Sequence, residues 1–195
     1  RAQQVEQLQL ENQNLRQLMG LQSSVATPSQ VAEVLFDVPD PYNQRIVIDK
    51  GQLKDVALGS PVVDTGGVLG QVTRVYPLSA EVTLLTDRDQ NIPVLNSRTG
   101  ARNIASGDIL GGIPQIELKF VPAGADVKEG DLLTTSGIDG VYPAGLQVAR
   151  ISHIERRVDI SFARIHAKPL ADMKGRHVLV LQPIGALAAT KGKTP

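Results

Sequence analysis

Apolar residues recur at Val5, Leu8, Leu15 and Met19 in a stretch otherwise dominated by Gln, Glu, Asn and Arg. That spacing puts them on one face of a helix, and no Pro or β-branched run interrupts residues 1 to about 25. With Val5, Asn12 and Met19 at the a positions of a heptad, Leu8, Leu15 and Gln22 fall at d. Val at a with Leu at d favours a parallel two-stranded coil, and an Asn at a gives up stability to fix register with its symmetry mate. A helix this short is marginal alone in water, so it needs a partner. Two partners are open: a second copy, dimerising through Val5, Leu8, Asn12, Leu15 and Met19, or the domain that follows in the same chain. Gly20 weakens the last turns, and Thr27-Pro28-Ser29 ends the helix.

From Val31 the pattern changes to short extended runs bounded by Gly and Pro. The runs predicted as strands are 31–38, 44–49, 61–63, 70–75, 81–86, 92–95, 115–121, 132–135, 147–154, 159–167 and 177–182, with a break at Ile109 and Gly111-Gly112. A faint repeat links Val56-Ala57-Leu58-Gly59-Ser60-Pro61-Val62 to Val127-Lys128-Glu129-Gly130-Asp131-Leu132-Leu133. Each copy runs into a Gly-containing turn and then into an alternating Val/Ile strand, from Gly70 and from Gly145. The expected architecture is mainly β: an N-terminal coiled-coil α-helix (1–27) followed by two small β-barrel domains, or sandwiches, 31–108 and 109–182. Residues 183–195 read as a disordered tail.

Composition narrows the function. Formal net charge is +0 and no basic block exceeds Arg156-Arg157, so a nucleic-acid partner is not expected. With 0 Cys there are no disulfides or thiolate metal sites. The chain has no run of about 18 apolar residues, the length that could span a membrane. The chain opens at Arg1 inside a helical pattern, which predicts an upstream portion carrying an anchor or signal.

Candidate chemistry fails motif by motif. Thr135-Ser136-Gly137 has the look of a serine-protease nucleophile, but His153, His166 and His177 all follow it, the wrong order for a chymotrypsin-like triad. Asp87-Arg88-Asp89-Gln90-Asn91 begins like a calcium loop, yet Ile92 replaces the turn Gly and Arg98 the bidentate Glu. Gly66-Gly67-Val68-Leu69-Gly70 matches neither a dinucleotide fingerprint nor a P-loop. The expectation is a protein that is not an enzyme and holds no cofactor or metal.

Several ordered motifs together resemble one family. Ile48-Asp49-Lys50-Gly51, Val56 to Val63, Gly66 to Val72, Leu85-Thr86-Asp87 with Ile92-Pro93-Val94, Gly130 to Gly137 and Asp139-Gly140-Val141-Tyr142-Pro143-Ala144-Gly145 are similar to those of the bacterial cell-shape-determining MreC family. The resemblance covers about residues 31 to 182 and implies a periplasmic coiled coil and two β-barrels on an inner-membrane anchor. It also implies a scaffold of the cell-wall elongation machinery, with MreD, MreB, RodZ and the elongation-specific class B penicillin-binding transpeptidase as partners. Homodimerisation or higher self-association is expected from the helix and from strand edges. Ile138 and Tyr142, in the Gly-rich 137–145 turn, are the candidate partner contacts, since aromatic side chains dominate interface energetics; the other reading of Tyr142 is that it packs over the end of its own barrel. The competing classes are a β-barrel envelope hydrolase or protease and a secretion-type membrane-fusion adaptor.

Overall fold

A computed structural model describes residues 1–25, 27–157, 159 and 161–183. The first element is α1 (Ala2–Ser24), close to the predicted helix. Twelve strands follow and close into two six-stranded antiparallel barrels. The first barrel is ringed by β1 (Ser29–Asp37), β12 (His177–Leu181), β3 (Pro61–Val63), β4 (Val68–Val75), β5 (Ala80–Leu84) and β2 (Arg45–Ile48). The second is ringed by β10 (Gln147–Glu155), β11 (Phe162–Pro169), β8 (Ile113–Pro122), β7 (Arg102–Leu110), β6 (Asn91–Asn96) and β9 (Leu132–Thr135). Closure pairs every strand on both sides and leaves neither sheet with a free edge, which removes strand edges as the expected route to self-association.

The predicted division at residues 108 and 109 is corrected by this topology. That cut passes through β7, and β6 and β7 belong to the second barrel. The first barrel lacks a strand between β1 and β3 until β12 supplies it from the far end of the chain, with Leu179 opposite both Val31 and Val63. The second barrel is therefore inserted between β5 and β12 of the first. The strand β7 escapes hydrophobic patterning because its buried positions are Ala105, Ser106 and Gly107, none of them a β-branched apolar residue. Of the tail expected to be disordered, 183–195, residues 184–195 lie outside the described residues.

The faint repeat has an atomic basis. Gly59 and Gly130 both adopt left-handed backbone, at φ +81° and +89°. Gly59 N–H donates to Val72 O and Gly130 N–H to Ile151 O, each at 2.8 Å. Ser60 Oγ accepts from Ala57 N–H at 3.3 Å, as Asp131 Oδ2 accepts from Lys128 N–H at 2.9 Å. Val56 and Val127 are buried beneath the two turns. The same turn thus launches the hairpin β3–β4 in one barrel and β9–β10 in the other.

One core is shared between the barrels. Val63, Val68, Leu179 and Leu181 of the first pack in the same cluster as Leu133, Val148 and Ala149 of the second, and Leu18 of α1 joins them. A separate cluster around Ile46, Ile48, Val62 and Val82 fills the first barrel. No helix among the described residues is long and apolar enough to cross a membrane.

Candidate interaction surfaces

The helix presents two different faces. Leu18 is buried at 3% exposure, and Leu21 and Val25 pack against the same core. Polar contacts follow this face: Gln22 Nε2 donates to Ser29 O at 2.8 Å, and Arg176 bridges Glu11 of α1 (3.7 Å) and Glu33 of β1 (3.5 Å). Val5, Leu8 and Met19 lie on the other side, 53%, 64% and 60% exposed, together with exposed Asn12. Leu15 sits between the two and is half-buried. At 3.6 residues per turn the faces are roughly 120° apart. Both partners that the sequence left open therefore have a face: the chain's own barrels take Leu18, and among the described residues Val5, Leu8, Asn12 and Met19 stay exposed.

The 137–145 turn is held by left-handed glycines and side-chain hydrogen bonds, and it points Tyr142 inward. Gly137, Gly140 and Gly145 take positive φ, Asp139 Oδ1 accepts from Val141 N–H (3.1 Å) and Tyr142 N–H (3.4 Å), and Thr135 Oγ1 donates to Pro143 O (2.5 Å). Tyr142 is only 2% exposed and part of the core, so its role as a surface contact is corrected: it packs the end of its own barrel. Its hydroxyl has no hydrogen-bond partner among the described residues, and burial pushes the phenol far above its ordinary pKa. Ile138 is 71% exposed and stays available.

A surface that the sequence did not single out lies on the second barrel. Phe120 (73% exposed) and Phe162 (49% exposed) meet edge to face, with ring centroids 5.9 Å apart and planes at 79°. Between the pairs Ala163↔Val121 and Ile165↔Leu118, Lys119 and Phe120 together oppose Arg164 alone, which is a β-bulge. Phe120 occupies that bulge at φ +59°, a conformation ordinarily left to Gly. For a bulky residue this costs about 1–2 kcal/mol. Such strain concentrates at binding and functional sites. Arg157 and Arg164 flank Phe162, and Arg157 Nε pairs with Glu155 Oε1 at 3.0 Å. A sequence signal did exist: the chain has only 3 Phe, and two of them are these.

The remaining polar clusters are occupied by structure. Asp131 accepts from Arg98 Nε (2.8 Å), Arg98 Nη2 (2.9 Å), Asn96 Nδ2 (2.9 Å) and Lys128 N–H (2.9 Å). The Arg98 guanidinium, then these further donors, hold its carboxyl far below the usual carboxylate range despite partial burial. Both Asp87 oxygens accept backbone N–H groups, from Gln44 (2.8 Å) and Asp89 (2.9 Å), so the calcium-like segment is a turn. Ser136 Oγ donates to Pro93 O at 3.3 Å. Among the described residues no group of three or more His, Asp or Glu is arranged to hold a metal.

Comparison with known proteins places these surfaces in a family context. The family model described as rod shape-determining protein MreC, barrel core, matches residues 34–182. The cell shape-determining protein MreC of Haemophilus influenzae is 39% identical over 180 residues, covering 92% of this chain and 51% of that protein. That of Escherichia coli K12 is 35% identical over 175 residues, covering 90% and 47%. The chain thus spans about half the length of the curated relatives it matches. A solved structure described as MreC superposes with a TM-score of 0.83 at 41% identity, over 90% of this chain and 99% of that one. A solved complex between the penicillin-binding protein PBP2 and MreC from Helicobacter pylori shares the fold, with a TM-score of 0.57 at 14% identity over 80% of this chain and 98% of that one.

Proposed function

Because this chain belongs to the family of rod shape-determining protein MreC, we propose that it is a non-catalytic, self-associating periplasmic scaffold of cell-wall elongation. It binds a class B penicillin-binding transpeptidase through the second barrel and favours that enzyme's active state. The observation that carries this reading is the Phe120–Phe162 pair, two exposed aromatic rings that the chain holds outward at the cost of a left-handed backbone. The complex of the Helicobacter pylori relative with PBP2 supports a transpeptidase as the partner class.

A scaffold of this kind shifts its partner only by binding one conformation more tightly than the other. A tenfold preference corresponds to about 1.4 kcal/mol, less than one good aromatic anchor supplies. The unpartnered heptad face of α1 supports association of two copies, so that a dimer would present two such surfaces. An anchor upstream of Arg1 in the inner membrane, with MreD, MreB and RodZ as neighbours, completes the proposed setting.

The test is binding of the purified transpeptidase to the immobilised chain by surface plasmon resonance. Phe120→Ala and Phe162→Ala are each expected to weaken binding about 30-fold, the effect of a hot-spot residue near 2 kcal/mol. Ile138→Ala tests the exposed residue of the 137–145 turn in the same assay. Wild-type affinity in both Phe variants would remove the second-barrel surface from the proposal. The hydrolase alternative predicts peptidoglycan or peptide cleavage that Ser136→Ala abolishes.

A further inference from the structure

The two barrels are joined by two connections, residues 85–90 after β5 and residues 170–176 before β12. Short connections alone do not set an angle. The structure adds a third element, the β3–β4 turn Asp64-Thr65-Gly66-Gly67, which projects from the first barrel onto the second. A Cβ on Gly66 would lie 2.2 Å from Leu170 O, and a Cβ on Gly67 would lie 2.3 Å from Gln147 O. Both obstacles are backbone, so neither can swing aside as a flexible side chain would. A third glycine repeats the arrangement from the other side: a Cβ on Gly107 of β7 would meet Asp87 O in the 85–90 connection at 2.0 Å.

Asp64 fastens the turn. Its Oδ1 accepts from Gly66 N–H (2.8 Å) and Gly67 N–H (3.1 Å), and its Oδ2 accepts from Asp172 N–H (2.8 Å) in the second connection. Asp87 does the same for the first connection by accepting Gln44 N–H at 2.8 Å. Val63 and Val68, which flank the turn, lie in the core shared by both barrels. Backbone contact at three glycines, two carboxylate ties and a continuous apolar core therefore act together on the junction between the barrels.

We propose that the Asp64–Gly67 turn, with Gly107 opposite, is a lock that fixes the angle between the barrels. It holds the α1 face and the second-barrel surface in one set relation. The lock acts by close approach of backbone to backbone, so a single methyl group at Gly66 or Gly67 opens it, and loss of the Asp64 carboxylate loosens it. The inference concerns the free chain and stands whether or not a transpeptidase binds.

Because the chain contains no Cys, spin labels can be placed at two exposed sites, Leu78→Cys on the first barrel and Glu129→Cys on the second. Pulsed electron resonance on this otherwise native chain is expected to give one narrow distance distribution. Gly66→Ala and Gly67→Ala should move it by roughly 3 Å or split it, since small displacements at a packed interface are amplified into rigid-body motion. Gly59→Ala is the control: its residue also has positive φ (+81°), but nothing lies within 4 Å of the added Cβ, so the inter-barrel distance should not change. Unchanged distributions in folded Gly66→Ala and Gly67→Ala variants would overturn the proposal. If those variants fail to fold by circular dichroism, Asp64→Ala decides, because it adds no volume: a broadened distribution supports the lock and the wild-type distribution refutes it.

Discussion

The two faces of α1 can be separated by one pair of substitutions. Leu18 is 3% exposed in the core shared by both barrels, whereas Leu8 is 64% exposed on the heptad face. Leu18→Ala leaves a cavity where helix and barrels meet, at a cost of about 3 kcal/mol. In a domain of this size each kcal/mol moves the melting temperature by about 2–4 °C, so a drop of roughly 6–12 °C is expected. Leu8→Ala removes almost no contact within one chain and should change the melting temperature of dilute protein by less than about 0.5 kcal/mol in equivalent stability. In a two-stranded coil it removes a buried side chain from each copy, about 1.5 kcal/mol apiece. The dimer dissociation constant should then rise roughly a hundredfold. Sedimentation velocity across a concentration series reads association, and differential scanning fluorimetry at low concentration reads the fold. If Leu8→Ala associates like wild type while Leu18→Ala abolishes association, the heptad face is not the dimer face and the separation argued from burial is wrong.

Other outcomes follow from the same structure. Asn12→Leu should tighten association while allowing mixed stoichiometry, because the Asn that specifies register is gone; sedimentation equilibrium showing a single unchanged dimer would count against the coil. Tyr142→Phe should leave stability equal or raise it by about 1 kcal/mol, since it deletes a buried hydroxyl with no partner; a clear loss in urea titration would show that the hydroxyl is bonded after all. Asp131 has a folded-state pKa depressed chiefly by Arg98, so its stabilisation is present above the unfolded value near 3.9 and is lost as pH falls through the folded value. Asp131→Asn should therefore be markedly less stable than wild type at pH 7, with the gap narrowing below about pH 4; a gap independent of pH would mean that charge is not what Asp131 contributes.

Different parts of the molecule were legible to different degrees. The extent of α1 and the extended runs that became β2, β3, β9 and β12 could be read from apolar spacing, because Ile46, Ile48, Val62, Val63, Leu133 and Val178 to Leu181 are among their buried residues, whereas β1 is legible from its Val and Leu although Ala32 is the residue it buries. The strand β7 could not, because closeness to the 85–90 connection demands Gly107 and leaves Ala105 as its main apolar inward residue. The domain boundary failed for a related reason. Strand order in a barrel is decided by which strand fills the last gap, and nothing local to β12 says that its partners are β1 and β3. Tyr142 had two readings in the sequence, surface contact or packing on its own barrel, because a Gly-rich turn predicts exposure of the backbone and not of each side chain; burial decides for the second.

The Phe120–Phe162 surface shows how such a failure becomes informative. By pattern alone, the β8 run from Ile116 to Val121 alternates until Lys119 and Phe120 break it with two outward residues in succession. A sequence selected only for folding would place Gly at the bulge, since Gly takes left-handed backbone without strain. The chain keeps a Phe there, exposes most of it, and sets it edge to face with the other Phe of this barrel. Neither burial nor backbone preference accounts for that choice, which leaves two sources of compensation: the edge-to-face pair within the barrel, or a partner outside it. Phe120→Gly separates the two explanations, because it should stabilise the isolated chain by about 1 kcal/mol and yet weaken partner binding as strongly as Phe120→Ala. A variant that is less stable and binds normally would mean that the aromatic pair serves the barrel itself.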